Sequence, residues 1–191
     1  IEGHANTLIF PSLDAGNMAG SVIASLPLVI LFSIPHFSNR DAYTRAEFQA
    51  VPNRFHLVDK DGHRKGGLSS EDPFMRVAVC TYNVEEKPVR LSAFGAVPFW
   101  SIAIFDSASN EIFSMNDRTS AGGELDILIS TPEQSGAIRK AEVQALSKSI
   151  LVEANRNEGY AVLRTMVPQA SFLEEAERFL GEATCEPAPL K

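Results

Sequence analysis

No H-E-x-x-H, C-x-x-C, G-x-S-x-G, P-loop or G-x-G-x-x-G spacing occurs in these 191 residues. The zincin, redox-dithiol, hydrolase-elbow and nucleotide-cradle chemistries that need those spacings therefore lack their usual signatures. Basic residues are in the minority, 17 against 24 acidic, and the net charge is −7. They are also scattered among the acids, so no basic face for a phosphate backbone is expected and nucleic acid is excluded as a partner. There is no block of like charge, no low-complexity tract and no repeat of fixed period, which argues against long disordered regions and solenoids. Cysteine is scarce, with two in the chain, and tryptophan occurs once. What is plentiful is apolar residue, at 45 %, enough for one domain with a sizeable core.

The longest stretch without charge runs from Ala15 to Asn39. Its middle carries Val22, Ile23, Leu26, Leu28, Val29, Ile30, Leu31 and Phe32. As a helix this run approaches the ~20 residues that span a bilayer. Pro27 sits inside it, which predicts a kink, and Pro35 marks its exit. Gly20, Ala24 and Ser25 offer a face for close helix packing. The membrane reading divides the chain into an N-terminal segment 1–16, an anchor helix 17–36, a globular domain 37–185 and a tail 186–191. The other readings are a buried core helix or an uncleaved secretion signal. Arg40, Arg45 and Arg54 follow the run and none precedes it, which by charge alone would hold the domain in the cytoplasm.

Beyond Val51 the pattern alternates, as strands require. Strands are expected at Phe55–Val58, Arg76–Asn83, Pro88–Phe94, Phe99–Phe105, Ile112–Met115, Leu125–Ile129, Ile150–Ala154 and Tyr160–Val167. In the second of these, Val77 and Val79 share one face and Ala78, Cys80 and Tyr82 the other. Turns are expected at Asp59-Lys60-Asp61-Gly62 and at 106–110. The segment 155–159 reads as the turn of a hairpin joining the last two strands. Thr131 and Gln134 fit a capping box, as do Ser171 and Glu174. Phe172, Leu173, Ala176, Phe179 and Leu180 make one apolar stripe of a final helix. The expected fold is α+β: a mostly antiparallel sheet or sandwich with two or three short helices, preceded by the apolar helix.

The run from Phe99 to Asp106, followed by Phe113-Ser114-Met115-Asn116-Asp117-Arg118, resembles a bacterial family, the domain of unknown function 1254. The resemblance extends through Arg40-Asp41-Ala42-Tyr43, the strand around Val79-Cys80, and Gly159-Tyr160-Ala161-Val162-Leu163-Arg164. It covers roughly residues 28–185 and is closest to the short proteobacterial form with an N-terminal anchor. The departure is at the front, where Ile1 to Asn17 lacks the basic residues that members carry. The resemblance implies a β-rich envelope domain, often encoded near a sibling of similar size, and no established activity.

Candidate sites are few. Cys80 on a core strand and Cys185 past the final helix form an even pair, which suits a disulfide in an oxidising compartment. Two unrelated buried thiols are the alternative. Asn116, Asp117 and Arg118 end a strand beside Ser120-Ala121-Gly122-Gly123, where an acid and a base can grip a polar ligand or hold the turn shut. His4 and His36 flank the apolar run, while His56 and His63 bracket the Asp59–Asp61 turn. That turn explains its aspartates without a metal, so neither a metal site nor a cofactor is expected. Trp100 reads as core. Two functional readings follow. One is a non-catalytic interaction module or accessory subunit, anchored in the inner membrane with a periplasmic domain and an integral-membrane or envelope protein as partner. The other is an enzyme or small-ligand binder with its site near Asn116–Arg118.

Overall fold

The computed structural model describes residues 12, 14, 25–32, 42–47, 51–58, 72–141 and 149–188. These fall in two units, Ile1–Asn39 and Arg40–Lys191. In the first unit, residues 25–32 are helical. Leu26, Leu28, Val29, Ile30, Leu31 and Phe32 are all more than half exposed there. Among the described residues no helix is long and apolar enough to cross a membrane. Val22, Ile23 and the rest of the expected anchor lie outside the described residues, as do the Asp59–Gly62 turn, His4, His36 and His63.

Among its described residues the second unit carries nine strands in chain order: β1 (His56–Leu57), β2 (Met75–Asn83), β3 (Val89–Ala93), β4 (Trp100–Asp106), β5 (Glu111–Asn116), β6 (Leu125–Ser130), β7 (Ile150–Glu153), β8 (Glu158–Met166) and β9 (Thr184–Pro187). Helix α1 (Pro132–Ala141) lies between β6 and β7, and α2 (Leu173–Glu182) between β8 and β9. One sheet has the order β1-β2-β8-β4-β5 and the other β7-β6-β3-β9. Every pairing is antiparallel except β6 with β7. The α+β class with two mostly antiparallel sheets and few short helices thus holds.

Alternation along each strand explains how the sheets face each other. In β2, Ala78, Cys80 and Tyr82 enter the core together with Leu91, Ile102, Ile104, Ile127, Leu163 and Phe179. Val77 and Val79 point the other way, where they meet Ala42, Tyr43 and Ala46 of the helical stretch 42–47. On the far side of the second sheet, Leu128 and Leu151 pack with Ile138 of α1 and Ala188. Helix α2 sends Ala176, Phe179 and Leu180 inward, so the expected apolar stripe is the buried one. Trp100 is 1 % exposed, and its indole N–H donates to the Gly123 carbonyl (2.9 Å).

The Thr131–Gln134 capping box forms in full. The Gln134 amide donates to the Thr131 hydroxyl (3.3 Å), and the Thr131 amide to the Gln134 side chain (3.0 Å). The second box does not form. Ser171 is absorbed in a 3-10 turn, Ala170–Phe172, and α2 starts after Phe172 with no side-chain cap. The 3-10 turn itself supplies the entry, its Leu173 amide bonding back to the Ala170 carbonyl.

One further expectation is corrected. The strands flanking residues 155–157 do not make a hairpin. β7 runs parallel to β6 in one sheet, while β8 is central in the other, paired along its length with β2 and β4. A polar turn between two apolar runs looks the same whether the runs pair or cross between layers. Here the Asn157 carbonyl takes the Val84 amide (2.8 Å) and Ala154 donates to Ser130 (2.9 Å), fixing the crossing. After α2 the chain buries Cys185. It forms β9 on the edge of the second sheet, in register with β3 from Ser92↔Thr184 to Val89↔Pro187.

Candidate functional site

At the end of β5, the three candidate residues serve different ends. The Asn116 side-chain oxygen accepts from the amides of Arg118 (3.1 Å) and Thr119 (3.1 Å), closing an Asx turn. Thr119 returns its hydroxyl to the Asn116 carbonyl (3.0 Å) and accepts the Asn116 amide (3.0 Å). The loop amides are therefore held by Asn116, not by Asp117. The Asp117 amide continues the ladder to the Trp100 carbonyl (3.2 Å). One of its carboxylate oxygens is buried with no hydrogen-bond partner among the described residues. Arg118 is exposed. The strand end thus brings the three together in sequence only: one closes the turn, one faces inward beside Trp100 and one faces solvent.

The two cysteines do come together. Cys80 on β2 and Cys185 on β9 form a disulfide, with Cα atoms 6.6 Å apart. Because the two strands belong to different sheets, the bond ties sheet to sheet across the core, where the two residues are 0 % and 3 % exposed.

A cleft of about 310 Å³ opens elsewhere, lined by Asn53, Asn83, Glu85, Glu86, Lys87 and Pro187. Asn53 has φ of 60°, its amide donates to Thr81 (2.9 Å) and its side-chain oxygen is buried without a partner among the described residues. These residues come from the approach to β1, the end of β2, the β2–β3 turn and β9. No spacing in the sequence joins them, and the sequence reading missed the cleft for that reason. His56 is spoken for, its Nε2 accepting the Val51 amide (2.9 Å). Among the described residues no group of three His, Cys, Asp or Glu side chains converges as metal ligands.

Two carboxylates act as structural keystones. Asp106 accepts from the amides of Ala108 and Asn110, both at 2.9 Å, and from the Asn110 side chain (3.0 Å), with Arg156 at 3.5 Å. Partial burial opposes its ionisation. The bonds from Asn110 and Ala108 and the Arg156 charge outweigh it, leaving its pKa below the ordinary carboxylate value. Asp126 receives a two-pronged Arg90 guanidinium (2.8 and 2.7 Å) and the Ser149 hydroxyl (2.9 Å). Burial again opposes its charge, and those bonds again win. A carboxylate lowered in the folded state contributes stability above its unfolded pKa, and that contribution is lost as pH falls through the folded one. The urea midpoint is therefore expected to drop between neutral pH and about pH 3, and to drop less in Asp106→Asn. Equal acid slopes in the two proteins would contradict this.

Comparison with known proteins gives three findings. The family model described as Protein of unknown function (DUF1254) matches residues 75–187. No curated protein matches the chain. Among solved structures, the chain resembles the VPA0106 protein of Vibrio parahaemolyticus at a TM-score of 0.58 and 16 % identity, over 82 % of this chain and 35 % of that one. It also resembles a putative uncharacterized protein of Burkholderia cenocepacia at 0.47 and 13 %, over 86 % and 46 %. The first likeness is one of fold. The chain thus spans less than half the length of either solved protein.

Proposed function

The chain belongs to the DUF1254 family of proteins of unknown function, and from that premise we propose a membrane-anchored domain of the cell envelope. In this reading the run 17–36 lies in the inner membrane and the sandwich stands in the periplasm. The domain acts as a non-catalytic interaction module or accessory subunit of a membrane protein assembly, in the short anchored form of the family.

The observation that carries the reading is the uncharged run from Ala15 to Asn39. Its described part is helical, with apolar side chains exposed at consecutive positions from Leu28 to Phe32. A helix apolar all round needs an apolar surrounding, and lipid is one that a short segment finds without further chain. The disulfide supports the side of the membrane, since such bonds persist in oxidising compartments. The use of Asn116 to close its own turn supports a non-catalytic role for that strand end.

The test is fractionation of native cells with thiols blocked before lysis. The protein is expected to stay with the membrane through alkaline extraction, to yield a Cys80–Cys185 linked peptide, and to co-purify with a membrane protein in gentle detergent. Release into the soluble fraction with both thiols free would overturn the reading.

A further inference from the structure

Besides its ladder to β3, strand β9 is held by little other than its disulfide. Of the four residues of β9, Thr184, Glu186 and Pro187 are exposed and only Cys185 is buried. The strand lies at the edge of its sheet and pairs with β3 alone. Pro187 brings no N–H to that ladder. Further ties are a hydroxyl pair between Ser92 and Thr184 (2.6 Å), the Ala188 amide on the Pro88 carbonyl (2.7 Å), the attraction between exposed Glu186 and Arg90 opposite it, and the small buried side chains of Ala183 and Ala188. The strand beneath is the opposite case, with Val89, Leu91, Ser92 and Ala93 all buried.

We infer that the disulfide is a latch on a strand slot: once it is reduced, β9 leaves β3, and the slot accepts the Thr184–Pro187 segment of a second copy of this chain. The slot already matches that sequence by register, from Ser92↔Thr184 to Val89↔Pro187. Cys80 lies where the thiol of an incoming Cys185 would face it. Between α2 and β9 stands Ala183 alone, in extended conformation (φ −61°, ψ 132°), so exchange between copies needs a change at one hinge residue. Reduction by a dithiol balances without another reactant. One thiolate attacks a sulfur of the bond, giving a mixed disulfide. The second thiolate then displaces the chain, which gains two thiols while the reductant becomes a disulfide. Both sulfurs are buried, so attack follows fraying, which costs least in an edge strand with few buried side chains. The inference does not depend on the membrane reading.

Hydrogen exchange on the full chain, oxidised and dithiol-reduced, tests the latch. Protection is expected to be lost in residues 184–188 and in the β3 amides facing them, with β2, β4 and β8 unchanged. Unchanged exchange, or loss spread over both sheets, overturns it. The slot is tested with the full-length Cys185→Ser chain and a peptide of residues 182–191 carrying Cys185 as a mixed disulfide with glutathione. The Cys80 thiolate is expected to attack the peptide's Cys185 sulfur and expel the glutathione thiolate, adding one peptide mass. Equal labelling by a scrambled peptide, or none by either, overturns the slot.

Discussion

Replacing Cys80 and Cys185 together by alanine is expected to lower the unfolding free energy by about 4 kcal/mol, read from urea denaturation of the oxidised parent and the variant. The two cysteines are 105 residues apart in sequence. Their bond therefore closes a long loop and removes much of the freedom of the unfolded chain. The native cost of the replacement is smaller, since alanine fills most of each buried site and the strand that the bond releases is a four-residue edge strand with one buried residue. Most of the loss thus arises in the unfolded state, and the variant is expected to stay folded with a larger denaturant slope. A change under about 1 kcal/mol would mean that the reduced chain already holds these segments together.

Gly159→Ala is expected to cost about 3 kcal/mol or more, or to prevent folding, because the site has no room for one carbon. Gly159 sits in β8 between Tyr82 of β2 and Asp106 of β4. The Tyr82 ring crosses over it, and its hydroxyl donates to the Phe105 carbonyl of β4 (3.0 Å). A Cβ at 159 would land on the Phe105 carbonyl and the Tyr82 hydroxyl. One of these is backbone in the middle of a sheet and cannot retreat. Burial also holds the Tyr82 proton far more tightly than usual, so ionisation offers no escape at ordinary pH. A Tyr82→Leu background removes half of the collision. Gly159→Ala is expected to cost clearly less there, and an equal cost in both backgrounds would place the strain elsewhere.

Period-two patterning located the strands because each has one face on the core. Ala78, Cys80 and Tyr82 against Val77 and Val79 is a pattern that survives any arrangement of partners. Partner choice is a different matter. The runs that become β7 and β8 carry nothing local to say that one joins β6 and the other lies between β2 and β4. The same holds for Thr184–Pro187, too short and polar to read as a strand until β3 is beside it. The disulfide was legible because two cysteines leave one pairing. At the strand end, an acid and a base were expected to grip a ligand or hold the turn shut, and the neighbouring Asn116 is the residue that closes it. Either a short amide or a short acid can close such a turn, and register decides which faces inward. Tyr82 over Gly159 and the cleft at Asn53 are contacts across many residues that no spacing announces.

The order of the first sheet sets when the domain can fold. β2 has nine residues, and its long partner is not the next strand but β8, matched from Met75↔Met166 to Asn83↔Glu158. β4 waits for the same strand. During synthesis, then, β2 and β4 are made early and lack the strand that joins them until residue 166 has emerged. A hairpin protein would begin to close behind the ribosome. This one keeps β2 and β4 without their shared neighbour until β8 is made, so its first sheet closes late relative to its own strands.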